Sequence, residues 1–282
     1  MPSTGSRRVG LLLAVALTFG ARLALGAVVF LAALLRSHAS GADFQDTLAR
    51  VSADPFNLGL AQAAGFGLVL MLGLSVAKGS GSAREDLAVV AVPLPAVALL
   101  LLAGAALQFP LTELGNLLSE FWPTPLAEQV AQRDLLNPHG YLGGAALIFA
   151  LVLVAPLSEE LLFRGLILRG LTARHGPLAG LFFSALLFGA LHHGTSMFPA
   201  TIAGLILGLV VLRTGSTLAS VVVHAGVNAM PVLLPERVYA LRGFNVVGTQ
   251  VYHLPVALFV GATLLASAAF YLLFRMSDSE DL

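Results

Sequence analysis

The stretch Gly143–Leu171, GGAALIFALVLVAPLSEELLFRGLILRGL, sets Glu159, Glu160 and Arg164 inside an apolar run long enough to cross a bilayer. A carboxylate or guanidinium at the bilayer centre costs about 2.5–3.5 kcal/mol on insertion scales, so such groups face a bundle interior and each other. Two further apolar stretches carry polar groups at helix spacing. Phe188-Gly189-Ala190-Leu191-His192 supplies a histidine, and His224-Ala225-Gly226-Val227-Asn228 supplies a histidine and an amide. Two Glu, one Arg, two His and one Asn at that depth predict helices gathered round a built site.

Composition fixes the class. Of 282 residues, 57% are apolar and 11% charged, and the mean hydropathy is +0.90. Soluble domains average about 45–50% apolar and about 25% charged. An all-α, polytopic transmembrane bundle follows, with the lipid bilayer as its solvent. The net charge is zero and no basic block occurs, which argues against a nucleic-acid partner. The absence of cysteine excludes disulfides, thiolate metal sites and a cysteine nucleophile. Lys78 is the sole lysine against fourteen arginines, and Ala, Gly and Leu are abundant, a bias that points to a GC-rich bacterial genome.

A span needs about 20 mostly apolar residues. The candidates are Val9–Leu35, Asn57–Ala77, Leu87–Leu107, Gly143–Leu157 running on toward Leu171, Leu178–Leu191, Phe198–Leu212, Thr217–Leu234 and Leu254–Phe274, about eight in all. The fourth to seventh are short or interrupted by polar residues, as expected of helices that surround a polar site. Residues 108–142 are predicted to be an extramembrane connector. Within it Leu111, Leu114, Leu117 and Leu118 fall at helical spacing, which fits either an amphipathic interfacial helix or an ordinary surface segment. Residues 1–282 read as one membrane domain with its core at 143–234. The first apolar run outlasts a signal-peptide h-region of about 7–15 residues and reads as a retained span. Counting Lys and Arg by loop gives eight on the N-terminal side, Arg7, Arg8 and Lys78 among them, against five on the other. That bias predicts both termini in the cytoplasm.

Glu160 and Arg164 stand at i,i+4 with the acid N-terminal, the favourable order for a helical ion pair. Glu159 is rotated by one residue, and its i+4 neighbour is Phe163. A carboxyl without a cationic partner in a poorly hydrated pocket suits a general base working near neutral pH. The spacing thus assigns Glu160 to structure and Glu159 to chemistry, against the simpler reading of both as a helix-locking ion cluster. His192 lies i+4 from Phe188 and could hold a water jointly with Glu159, although a lone helical histidine is more often an ordinary core residue. His193 points about 100° away and takes that ordinary role. His224 and Asn228 share one helical face, where two N–H donors can stabilise an oxyanion or bond across helices. Gly226 between them admits another backbone or a substrate. Arg22 sits too deep in the first span to snorkel from either end, so it pairs with a carboxylate or lines a wet cavity.

No H-E-x-x-H zinc motif, no G-x-S-x-G elbow and no pair of intramembrane aspartates occurs. Glu, His, His and Asn are left, a set able to activate water directly. In order along the chain, E-E-x-x-x-R, F-x-x-x-H and H-x-x-x-N resemble the CAAX protease and bacteriocin-processing family. That family includes the type II CAAX prenyl endopeptidases and the bacterial Abi-type proteins. The resemblance covers about Gly143 to Leu234. It implies a metal-independent, cofactor-free, glutamate-type intramembrane endopeptidase acting on a peptide or membrane protein. By position, Glu159 with His192 would activate water, His224 and Asn228 would form the oxyanion hole, and Glu160 with Arg164 would orient the site.

Rival classes are a non-catalytic scaffold or bacteriocin-immunity protein and a proton-coupled transporter. The transporter reading lacks the repeated halves with matching broken helices that such proteins show. Two histidines and a glutamate are also a zinc donor set, an alternative the residues leave open.

Overall fold

The computed structural model describes residues 9–77, 82–138 and 140–278, with side chains to Met276. Arg7, Arg8, Lys78 and the glycine–serine linker at Gly79–Gly81 lie outside the described residues, as does the part of the orientation argument that rests on them. In chain order the helices are α1 (Leu11–Ser40), α2 (Phe44–Ala53), α3 (Pro55–Val76), α4 (Ala83–Asp86), α5 (Leu94–Ser119) and α6 (Leu126–Leu136), followed by α7 (Gly140–His175), α8 (Pro177–Gly189), α9 (Met197–Thr214), α10 (Thr217–Leu233) and α11 (Val256–Asp278). No strand occurs among the described residues. The fold is all-helical.

Six of these helices, α1, α3, α5, α7, α9 and α11, are long and apolar enough to cross a membrane. The two other expected spans form helices of 13 and 17 residues, α8 and α10. At about 1.5 Å per residue, α8 reaches only about 20 Å, short of the roughly 30 Å hydrocarbon core. Each expected span therefore corresponds to one helix, and the two short ones bear the histidine motifs.

Two boundaries differ from expectation. The third span starts at Leu94 rather than Leu87, because Pro93 and Pro95 can only occupy a helix start. Residues 87–93 instead run under α10, where Thr217 Oγ1 donates to Leu87 O at 2.6 Å and Ser216 Oγ to Val90 O at 2.7 Å. The same helix continues through Pro110 to Ser119, so Leu111, Leu114, Leu117 and Leu118 belong to its last turns and not to a separate connector helix.

Leu17, Phe66, Leu162, Phe163, Ile167 and Phe188 build one core among α1, α3, α7 and α8. Leu100, Leu207, Val223 and Leu273 build a second among α5, α9, α10 and α11. Helix α7 lies between the two, with α3 on one side and α10 on the other. Glycines set the close crossings, as small residues do where helices meet in membranes. A Cβ on Gly226 would stand 3.2 Å from Gly104 Cα, so it is the backbone of α5 that Gly226 admits.

Helix α7 is not α-helical throughout. Ile148–Val154 and Leu161–Leu168 are π-helical and bracket the acidic pair. Pro156 has no N–H, and the turn before it widens so that Ala155 N–H bonds the Ala150 carbonyl five residues back.

Candidate active site

Glu160 and Arg164 form the pair that the spacing predicts. Arg164 Nη1 donates to Glu160 Oε1 at 2.7 Å, and both side chains are fully buried. The other terminal nitrogen and the guanidinium face are engaged as well, while Nε is buried without a hydrogen-bond partner among the described residues. Arg164 Nη2 donates to Gly204 O on α9 at 3.1 Å, and its Cζ lies 4.3 Å from the centroid of the Phe188 ring. A buried charge is tolerable only when paired and bonded in this way.

His224, on α10, reaches across to the same carboxylate. Its Nδ1 stands 2.9 Å from Glu160 Oε1, and its Nε2 stands 4.0 Å from Glu159 Oε2. An Nδ1–H donated to Glu160 fixes the ring plane and directs Nε2 at Glu159. The imidazole thus stands between adjacent carboxylates.

Glu159 occupies a different environment from Glu160. Its Oε1 accepts from Gln62 Nε2 on α3 at 3.0 Å. It opens on a cavity of about 100 Å³ lined by Arg22, Leu25, Gln62, Phe66, Glu159, Leu191 and His192. Liquid water occupies about 30 Å³ per molecule, so the cavity has room for a few waters beside the carboxylate. A larger apolar groove of about 420 Å³, between α5, α9 and α11, has no ionisable residue in its lining.

His192 follows the end of α8 and lines that cavity. Its Nδ1 is 3.1 Å from Phe188 O, and its ring centroid is 5.2 Å from that of Phe188. The structure therefore brings Glu159, Glu160, Arg164, His192 and His224 together, with His224 the histidine nearer to Glu159. Asn228 is directed elsewhere in this state, its Nδ2 donating to Leu151 O of α7 at 2.9 Å.

Three residues that the motifs do not contain join the site. Gln62 holds Glu159, and its only sequence signal is an amide in the interior of a mostly apolar helix. Among the described residues Arg22 finds no carboxylate; it lines the cavity, donates to Leu191 O at 3.0 Å and contacts the His193 ring. His193 is accordingly exposed against Arg22, not the ordinary core residue expected.

Neither a curated protein nor a solved structure matches the chain. Residues 142–230, which hold all of the motif side chains, match the family model of the type II CAAX prenyl endopeptidases, Rce1-like, the family that the three motifs resemble.

Proposed function

We propose that this multi-pass membrane endopeptidase hydrolyses its substrate through a water activated by Glu159. The observation that carries the reading is the difference between neighbouring glutamates. Glu160 is fully buried with Oε1 shared by Arg164 and His224, while Glu159 keeps a carboxylate beside a cavity that can hold water. In the proposed step the water oxygen attacks the scissile carbonyl carbon as Glu159 takes a water proton. His192, on the same cavity wall, holds the water with it. Negative charge gathers on the former carbonyl oxygen, and the C–N bond breaks as the proton passes to the departing amine.

The second amide N–H of Asn228 and the Nε2–H of His224, in the imidazolium form that also keeps Nδ1–H on Glu160, are the donors assigned to that oxygen. Glu160 and Arg164 orient His224. Neither a metal nor a cofactor is required, because a carboxylate and an imidazole can activate water without a Lewis acid. The peptide or membrane-protein substrate presents its bond at membrane depth. The whole chain is taken as one membrane domain with its core at 143–234, and both termini as cytoplasmic.

The test compares peptide ends in membranes carrying the wild-type protein and Glu159→Gln. Ends that vanish in the variant, while its folded yield persists, support the reading. An identical set of ends in both would overturn it.

A further inference from the structure

Helix α8 stops at Gly189, and the chain then turns out of the helix. Leu191 N–H bonds Phe188 O at 3.2 Å and His192 N–H bonds Gly189 O at 2.9 Å. His193 is already extended, at φ −113° and ψ 155°. Leu191 lies beyond the last helical residue and its cap, so no helix ladder serves its carbonyl, which needs a donor from elsewhere. A cation can supply it, and is favoured there by the negative end of the nearby helix macrodipole.

Arg22 does so from the middle of α1. Its Nη1 donates to Leu191 O at 3.0 Å, and its Nη2 meets the His193 ring. One guanidinium thereby grips the two chain neighbours of His192. The His192 ring is held on its other side by Phe188, through the carbonyl and through the ring. Among the described residues no acidic side chain stands within ion-pair distance of Arg22. An arginine at that depth would be costly without a partner, and the partners it has all belong to the turn that carries His192.

We propose that Arg22 is a positioning residue. It braces the turn after α8 from another helix and so presents His192 to the cavity holding Glu159. The kinetic half of this inference rests on the peptidase reading, whereas the structural half does not. Lysine can supply charge to one carbonyl but lacks the planar fork that reaches two groups at once.

The experiment uses the full-length protein in lipid nanodiscs, as wild type, Arg22→Lys and Arg22→Gln. The first readout is the rate at which diethyl pyrocarbonate modifies His192, His193 and His224, resolved by peptide mass spectrometry. In Arg22→Gln the His192 rate should rise about tenfold, the scale set by losing a charge-assisted hydrogen bond, while the His224 rate holds. In Arg22→Lys His192 should be intermediate and His193 fully released. Wild-type rates at His192 and His193 in both variants would overturn the proposal. If Arg22→Gln does not fold, Arg22→Lys decides by the same criterion. The second readout is turnover of a peptide spanning a cleavage site mapped by the peptide-end comparison. Arg22→Gln should lower kcat about tenfold or more with KM within about twofold, since a misplaced group costs the transition state more than binding, and Arg22→Lys should recover part of it. An unchanged kcat overturns the positioning role. A wild-type protein that cleaves nothing sinks the peptidase reading instead, and the modification rates still decide whether Arg22 fixes the turn.

Discussion

Asn228 supplies the hydrogen bond that Pro156 denies to Leu151. In an α-helix the Leu151 carbonyl would take the N–H of Ala155, but that N–H bonds Ala150. In a π-turn it would take the N–H of residue 156, which is proline and has none. Asn228 Nδ2, arriving from α10, fills the place at 2.9 Å. Within a bilayer a freed carbonyl needs such a partner, since water is not at hand.

This geometry gives Asn228 two separable roles. Asn228→Ala should lower thermal stability by about 1 kcal/mol through the orphaned acceptor. It should also lower kcat about 100-fold if the second amide N–H serves the oxyanion. Pro156→Ala restores a backbone N–H and should recover the stability in the double variant without recovering turnover. A double-mutant cycle on melting temperature and kcat reads both. Recovery of turnover along with stability would remove the oxyanion role.

Glu160 and Glu159 should separate in the same way. Removing one partner of a buried pair typically costs about 3–5 kcal/mol, because the other charge is left alone. Glu160→Ala strands Arg164 and releases His224, so its melting temperature in detergent should fall well below that of Glu159→Ala. Equal melting temperatures would contradict the division of roles.

Chelation is a third test. The proposed chemistry runs on a carboxylate and imidazoles, so activity should survive exhaustive treatment with a strong chelator, and the purified protein should hold no stoichiometric zinc. Loss of activity that added zinc alone restores would recast Glu159, His192 and His224 as ligands.

Relations within one helix were legible in the sequence, and relations between helices were not. The i,i+4 rule gave the Glu160–Arg164 bond because both residues share α7. It could not say that His224, 64 residues from Glu160, lies closer to the acidic pair than the expected partner His192. That proximity comes from the packing of α10 against α7, which the periodicity of neither helix reveals. Gln62 is 97 residues from Glu159, and an amide in a mostly apolar helix names no partner. Prolines act on the third span in two ways. Pro93 and Pro95 delayed the third span, whereas Pro110 lies inside it without ending it. For Arg22 the expectation was a carboxylate partner or a place on a wet cavity; it lines the cavity, and its bonds to the turn after α8 join residues too distant in the chain to read.

The last prediction concerns pH and the loop between α10 and α11, which is fastened to the end of α5. His253 Nδ1 is 2.7 Å from Glu113 Oε1, and its Nε2 is 2.9 Å from Glu120 Oε1. Glu113 also accepts from Leu254 N–H at 2.9 Å, and Asn116 donates to both Glu113 and Gly243 O. A neutral imidazole has one N–H, so satisfying two carboxylates requires the imidazolium. The hydrogen bonds to Glu113 and then Glu120 accordingly raise the His253 pKa above its ordinary value. A group whose pKa is higher in the folded state stabilises that state fully below its unfolded value, about 6.5 for histidine. The contribution disappears as pH rises through the folded value. Wild type should therefore melt above His253→Gln near pH 6, and the gap should close toward pH 9. Because the ring is largely exposed, added salt should narrow the gap at the lower pH as well. Parallel melting curves for the two proteins across that range would show that the clasp does not depend on the charge of His253.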